Sequence, residues 1–161
     1  MDLQGAMTSC DKIRFAIAAL LQQGQPKAVD AVTLKRLCMR LDLINPSLAE
    51  DFYKQLLNKR DAMQKSPFEK CLMHSWRCLA IQRCRKRGKC VRYFLGECAK
   101  ARAGSRLERL AFRQAVYFAR RIKDPALKYI CQADIQAVRE DLKIGKSVSN
   151  RVSLRPEVEG L

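Results

Sequence analysis

The sequence predicts an all-α fold: a compact multi-helix domain of about six to seven full helices, with a mobile C-terminal tail. Two patterns predict it. Apolar residues recur at i, i+3, i+4 and i+7 along most of the chain, and helix-start signals with Ser, Thr, Asn or Asp at the cap and Pro or Glu just behind it recur with them. A third observation bounds the class. With 161 residues, 48% apolar and 30% charged, the chain is long enough to bury a core and too apolar to be wholly disordered.

The first helix is expected to start at Thr8 or Ser9 and to stop at Gly24, with Ile13, Ala16, Ile17, Leu20 and Leu21 on one buried stripe. After a loop with Pro26, Asp30 caps a second helix whose apolar face is Leu34, Leu37, Cys38 and Leu41. Asn45, Pro46 and Ser47 open a third, with proline at the first helical position, Ser47 and Glu50 spaced as a capping box, and Leu48, Phe52, Leu56 and Met63 inward. Residues 1–65 therefore form an N-terminal helical layer with helix-turn-helix proportions. Its DNA-reading interpretation is disfavoured, because the residues that would meet base edges are Glu50 and Asp51, which phosphates repel.

Residues 66–145 form a basic, cysteine-containing helical region. Ser66, Pro67 and Glu69 start a helix that should run to Arg87 and stop at Gly88, with Phe68, Cys71, Leu72, Ser75, Cys78, Leu79 and Gln82 on its inner side and Trp76 as a core anchor. A segment from Cys90 to Ala103 turns Val91, Phe94, Leu95 and Cys98 inward. Ser105 and Glu108 open a helix ending at Lys123, in which Leu107, Leu110, Ala111, Ala115, Phe118 and Ile122 pack. Asp124 and Pro125 start a short helix through Ile130, and a last segment runs from Asp134 to Leu142. Residues 146–161 lack apolar periodicity and read as the tail.

Charge is the dominant local feature. Between Lys70 and Lys123, sixteen basic side chains stand against only Glu97 and Glu108, so this third of the chain carries nearly all of the net +16. Such imbalance destabilises a compact state unless a polyanion neutralises it. On a helix, Arg106, Arg109, Arg113, Tyr117 and Arg120 make one stripe about 20 Å long. Guanidinium groups at that spacing match a line of phosphates, and a tyrosine among them suits base stacking. Arg83, Arg85, Lys86, Arg87 and Lys89 form a second basic strip, part of which the helix C-terminus explains as dipole complement. With Arg77, Arg92 and Arg102 these are the expected nucleic-acid contacts.

The eight cysteines lack any CxxC spacing, the short loop that lets two thiolates converge on one ion. Buried free thiols are the expectation, and no cofactor. The metal alternative would draw on His74, Cys78, Cys90 and Cys98 around zinc. Catalysis is not expected: His74 is the only histidine, and no paired carboxylates lie in the basic region to hold Mg²⁺. Gly145, Lys146 and Ser147 are not a P-loop, since Glu140 stands where its first glycine belongs.

No apolar run approaches membrane-spanning length, and the opening residues lack the apolar core of a signal peptide, so a reducing cytoplasmic or nuclear setting is expected. The functional expectation is a nucleic-acid-binding protein, RNA slightly ahead of DNA, contacting phosphates with modest sequence selectivity in a regulatory role. The alternatives are a helical small subunit of a ribonucleoprotein or other assembly, with protein partners or self-association, and a zinc-stabilised adaptor for an acidic protein.

Overall fold

Every described residue of the chain lies in a helix or in a short connection between helices. The computed structural model describes residues 8–23, 27–59 and 67–143, in seven α-helices: α1 Ser9–Leu21, α2 Ala28–Ile44, α3 Pro46–Asn58, α4 Pro67–Cys84, α5 Arg87–Lys100, α6 Arg106–Ala119 and α7 Pro125–Lys143. The all-α expectation holds. Gly24, Pro26, Met63, Ser66, Gly145 and the proposed tail at 146–161 lie outside the described residues.

The chain divides into two compact units, Met1–Leu79 and Ala80–Leu161, with the division inside α4. The sequence reading placed its boundary at 65/66 instead. The first turns of α4 fall in the first unit, and they carry Phe68, Leu72, Ser75, Trp76 and Leu79, all buried, Trp76 fully so.

In the first unit, α1 starts where the cap chemistry requires it: the Thr8 side chain accepts the Asp11 N–H at 3.1 Å. Ile13, Ile17 and Leu20 are buried, whereas Ala16 is exposed. Helix α2 begins before its expected cap. Asp30 sits in the first turn, and its carboxylate accepts the Lys27 N–H at 2.7 Å. For α3 the cap is Asn45, which accepts the Leu48 N–H at 3.1 Å with Pro46 at the first helical position. Ser47 and Glu50 lie inside the helix rather than at its cap. Glu50 is buried, with the Lys54 ammonium 3.8 Å away.

The expected apolar side of α3 omits its best-buried large residue. Tyr53 has no exposed surface, and its hydroxyl donates to the Asp42 carboxylate at 2.6 Å while lying 3.0 Å from the Cys38 carbonyl. A tyrosine can be interior when its polar end finds such partners.

Burial raises the Asp42 pKa above the usual carboxylate value, against the opposing effect of the Tyr53 hydrogen bond. A raised folded-state pKa contributes stability that is complete below the unfolded value of 3.8 and is lost as pH rises through the folded value. Asp42→Asn keeps an oxygen acceptor for Tyr53 without the charge. In paired thermal melts, the variant should match wild type at pH 3 and gain on it progressively toward pH 7.

The second unit is organised by an antiparallel helix pair, α5 and α6. Three pairings fix the register: an Arg87 guanidinium nitrogen donates to the Arg121 carbonyl, the Phe94 and Phe118 rings stack with centroids 5.7 Å apart, and the Cys98 thiol meets the Glu108 carbonyl at 3.4 Å. Residue numbers rise on one helix as they fall on the other. Val91, Phe94, Leu95 and Cys98 face Leu110, Ala111, Ala115 and Phe118 in the buried layer. Gly104 supplies the left-handed residue of the connecting turn, at φ 78°, and Ser105 caps α6 by accepting the Glu108 N–H at 3.2 Å.

The C-terminal element is one helix rather than two. Asp124 accepts the Ala126 N–H at 3.0 Å to start α7, and Cys131, Gln132 and Ala133 contain no helix breaker to divide it. Cys131, Asp134, Ile135 and Val138 are its buried positions. Among the described residues, no helix is long and apolar enough to cross a membrane.

Candidate nucleic-acid interface

The basic run between α4 and α5 is divided differently from expectation. Helix α4 ends at Cys84, and the next residue, Arg85, takes a left-handed conformation with φ 64°. The Lys86 N–H then bonds back to the Cys84 carbonyl at 2.7 Å, and α5 starts at Arg87. Gly88, the expected stop, is a buried residue in the first turn of α5. A non-glycine residue in this backbone region costs about 1–2 kcal/mol, which explains why no helix-ending rule finds it.

This placement changes the meaning of the charges. Arg83 lies in the last turn of α4 and Arg85 directly beyond it, where cations complement the helix dipole. Lys86, Arg87 and Lys89 instead surround the N-terminus of α5, where the dipole has the opposite sign. Lys86, at the N-cap, makes no side-chain capping hydrogen bond, and the first turn contains no acidic residue. Each such cation is disfavoured by up to about 1 kcal/mol without a neutralising anion.

The hydrogen bond from Arg87 to the Arg121 carbonyl brings the two basic segments together. It sets the start of α5 beside the end of α6, where Arg120, Arg121 and Lys123 are all exposed. Lys128 on α7 adds its ammonium 3.5 Å from the Arg120 carbonyl. Along α6, Arg109 and Arg113 are exposed, and Arg102 is exposed in the turn at the far end. Arg92 is half-buried on α5. Arg77 belongs to the first unit and is half-buried.

Two members of the expected stripe differ in role. Arg106 is buried, 8% exposed, so the exposed row begins at Arg109. Arg106 is the first residue of α6. Burial lowers its pKa from the usual arginine value, and the nearby positive charges of Arg109 and Arg113 lower it further. Tyr117 is half-buried, with the Arg121 guanidinium 3.5 Å from its ring centroid and the same side chain donating to the Tyr117 carbonyl at 2.9 Å. One ring face is therefore occupied, and its edge contact with Phe118 holds it further. Tyr117 orients Arg121 rather than standing open for a base.

Arg121 was absent from the sequence-derived contacts. Its signal was the i, i+4 spacing from Tyr117, which puts a guanidinium over an aromatic ring on one helix face. A similar pairing sets Arg83 5.6 Å from the Tyr93 ring centroid, so Tyr93 also backs an arginine.

Acidic groups withdraw from this surface. Glu97 and Glu108 are the only acids between residues 80 and 123, and both are buried. Glu108 accepts the Gly104 N–H at 3.0 Å, a structural use in the turn. The exposed cations in this stretch are consequently unmixed with exposed acids.

Among the described residues, no group of three or more His, Cys, Asp or Glu side chains is arranged to hold a metal ion. Of the zinc candidates, His74 Nε2 and Cys78 Sγ are 3.4 Å apart within the first unit. Cys90 and Cys98 are buried in the second, their thiols directed at the Ala80 and Glu108 carbonyls and each pushed up to about 12 by burial.

The chain matches no protein-family model, no curated protein and no solved structure.

Proposed function

We propose that this protein binds nucleic acid through the phosphate backbone, using the exposed cations of α5, α6 and their connections. The reading rests on one observation above the others: the Arg87 to Arg121 contact gathers two basic segments, more than thirty residues apart in sequence, and the only acids between residues 80 and 123, Glu97 and Glu108, are buried. The α5 N-terminus adds backbone N–H groups of matching polarity. Arg85, Lys86, Arg87, Lys89, Arg120 and Arg121 are the central contacts, with Arg109, Arg113 and Arg102 extending the track.

Sequence selectivity should be low. Arginines dominate the surface, few Asn or Gln side chains accompany them to read base edges, and the ring nearest the cluster already holds an arginine. The direct test is a salt titration of binding to single-stranded RNA, duplex RNA and duplex DNA of unrelated sequence. About six phosphate contacts predict a log–log slope near −5 on duplex DNA and near −4 on a single strand. Equal affinity at 50 and 200 mM salt would defeat the proposal.

A further inference from the structure

Helix α2 is apolar on two sides. Leu34, Cys38 and Leu41 are buried, yet Val29, Val32, Met39 and Leu43 on the opposite side are exposed, Leu43 by 85%. Together with Arg36 these positions alternate steps of three and four residues, so they lie within about 80° of one another around the helix and run about 21 Å along it. That is the heptad spacing of a helix-pairing seam. Single exposed apolar side chains need no account, but a continuous line of them marks an interaction surface. A helix with apolar residues on both sides is expected between two partners, and α2 packs on only one.

The charges beside the seam have one sign. Arg36 stands in its middle, and Arg40 and Lys35 flank it on opposite sides. All three are exposed, and none forms an ion pair with a described residue. The only acids of α2 are both half-buried and engaged elsewhere: Asp30 accepts the Lys27 N–H, and Asp42 accepts the Tyr53 hydroxyl.

We infer that the outer face of α2 docks an amphipathic helix from an acidic partner protein, whose apolar residues meet Val29, Val32, Met39 and Leu43 and whose carboxylates meet Lys35, Arg36 and Arg40. Charge complementarity selects this occupant. A second copy of the same face would set cations against cations with no exposed acid between them. A bilayer surface favours a helix that keeps its cations on the polar face, whereas here Arg36 interrupts the apolar line itself. In helix pairs, a polar residue at one seam position fixes register and partner. The site lies in the first unit, away from every cation assigned to the central phosphate contacts.

The experiment measures binding of full-length reduced protein to three labelled helical peptides by fluorescence anisotropy at 0.15 M salt. One carries Leu at the seam positions and Glu beside them, the second keeps Leu with Lys in place of Glu, and the third keeps Glu with Ser in place of Leu. The Leu–Glu peptide should bind at least ~10-fold tighter than either other. Met39→Ala combined with Leu43→Ala should weaken it by at least ~10-fold, and Arg36→Glu should shift the preference toward the Lys peptide. Replacing Arg109, Arg113 and Arg120 by Gln should leave its affinity unchanged, so this site and the phosphate surface stand or fall separately. The inference is overturned if no peptide binds, or if the Ser–Glu peptide binds as tightly as the Leu–Glu one, since attraction is then charge alone. It is also overturned if the α2 double variant binds like wild type, or if α2 instead mediates a dimer in sedimentation or binding to phosphatidylserine vesicles. Should a variant fail to fold, the ranking of the three peptides on wild-type protein decides.

Discussion

Replacing Arg109, Arg113 and Arg120 together by Gln should lower nucleic-acid affinity by roughly 10²-fold at 0.1 M salt and reduce the salt slope on duplex DNA by close to 3, since each phosphate contact contributes about 0.9. Arg109 and Arg113 are exposed on α6 and Arg120 is exposed at its C-cap, and Arg106 is left in place because its burial makes it part of the fold. Gln keeps a polar side chain of similar helix propensity, so the change removes charge with little disturbance of the α5–α6 layer. The loss should be similar for unrelated sequences, because the contacts are to phosphates. A loss confined to one sequence would instead indicate base reading, and an unchanged slope would remove α6 from the interface. Adding Arg85→Gln and Lys86→Gln should reduce the slope by a further 2 if the turn and the helix contact the same strand. If the turn is not engaged, those two substitutions will leave the slope where the triple variant put it.

The parts of this design that were legible in the sequence are those governed by local chemistry. Thr8, Asn45 and Ser105 cap helices because their side-chain oxygens reach N–H groups within one turn, an interaction the sequence displays directly. Val91, Phe94, Leu95 and Cys98 were identifiable as buried because a 3.6-residue period needs no knowledge of the partner. The failures have a different origin. Arg85 breaks the α4–α5 run in a conformation that its own side chain disfavours, so tertiary packing must impose it. Tyr53 is interior through Asp42 and Cys38, which lie eleven and fifteen residues away. Arg106 falls on the basic stripe by helical phase, but as the first residue of α6 it is buried. The joining of the two basic segments depends on the α5–α6 register, which no single segment encodes. Thus charge content was readable at the start, whereas its assembly into one surface required the fold.

Trp76→Ala should be the most destabilising single substitution of the chain, costing about 3–5 kcal/mol. The indole is fully buried on α4, in the turns that pack with the first unit, and its removal leaves a cavity among side chains that relax only partly to fill it. A small domain is commonly stable by 5–15 kcal/mol, so the loss consumes a large share of what holds the first unit together. Trp76 is also the chain's only tryptophan, which makes wild-type fluorescence a specific reporter of this environment. The variant has to be followed by far-ultraviolet circular dichroism and by amide hydrogen exchange. Protection should fall in α1, α2, α3 and the first turns of α4. Amides of α5 and α6 should keep theirs, because the Phe94–Phe118 stack and the Arg87–Arg121 contact lie wholly in the second unit. Nucleic-acid affinity should then persist in a protein whose first unit is already loosened, since every cation assigned to the central contacts is in the second. Loss of binding in step with loss of α1–α3 protection would show instead that the basic surface depends on the N-terminal helices for its shape.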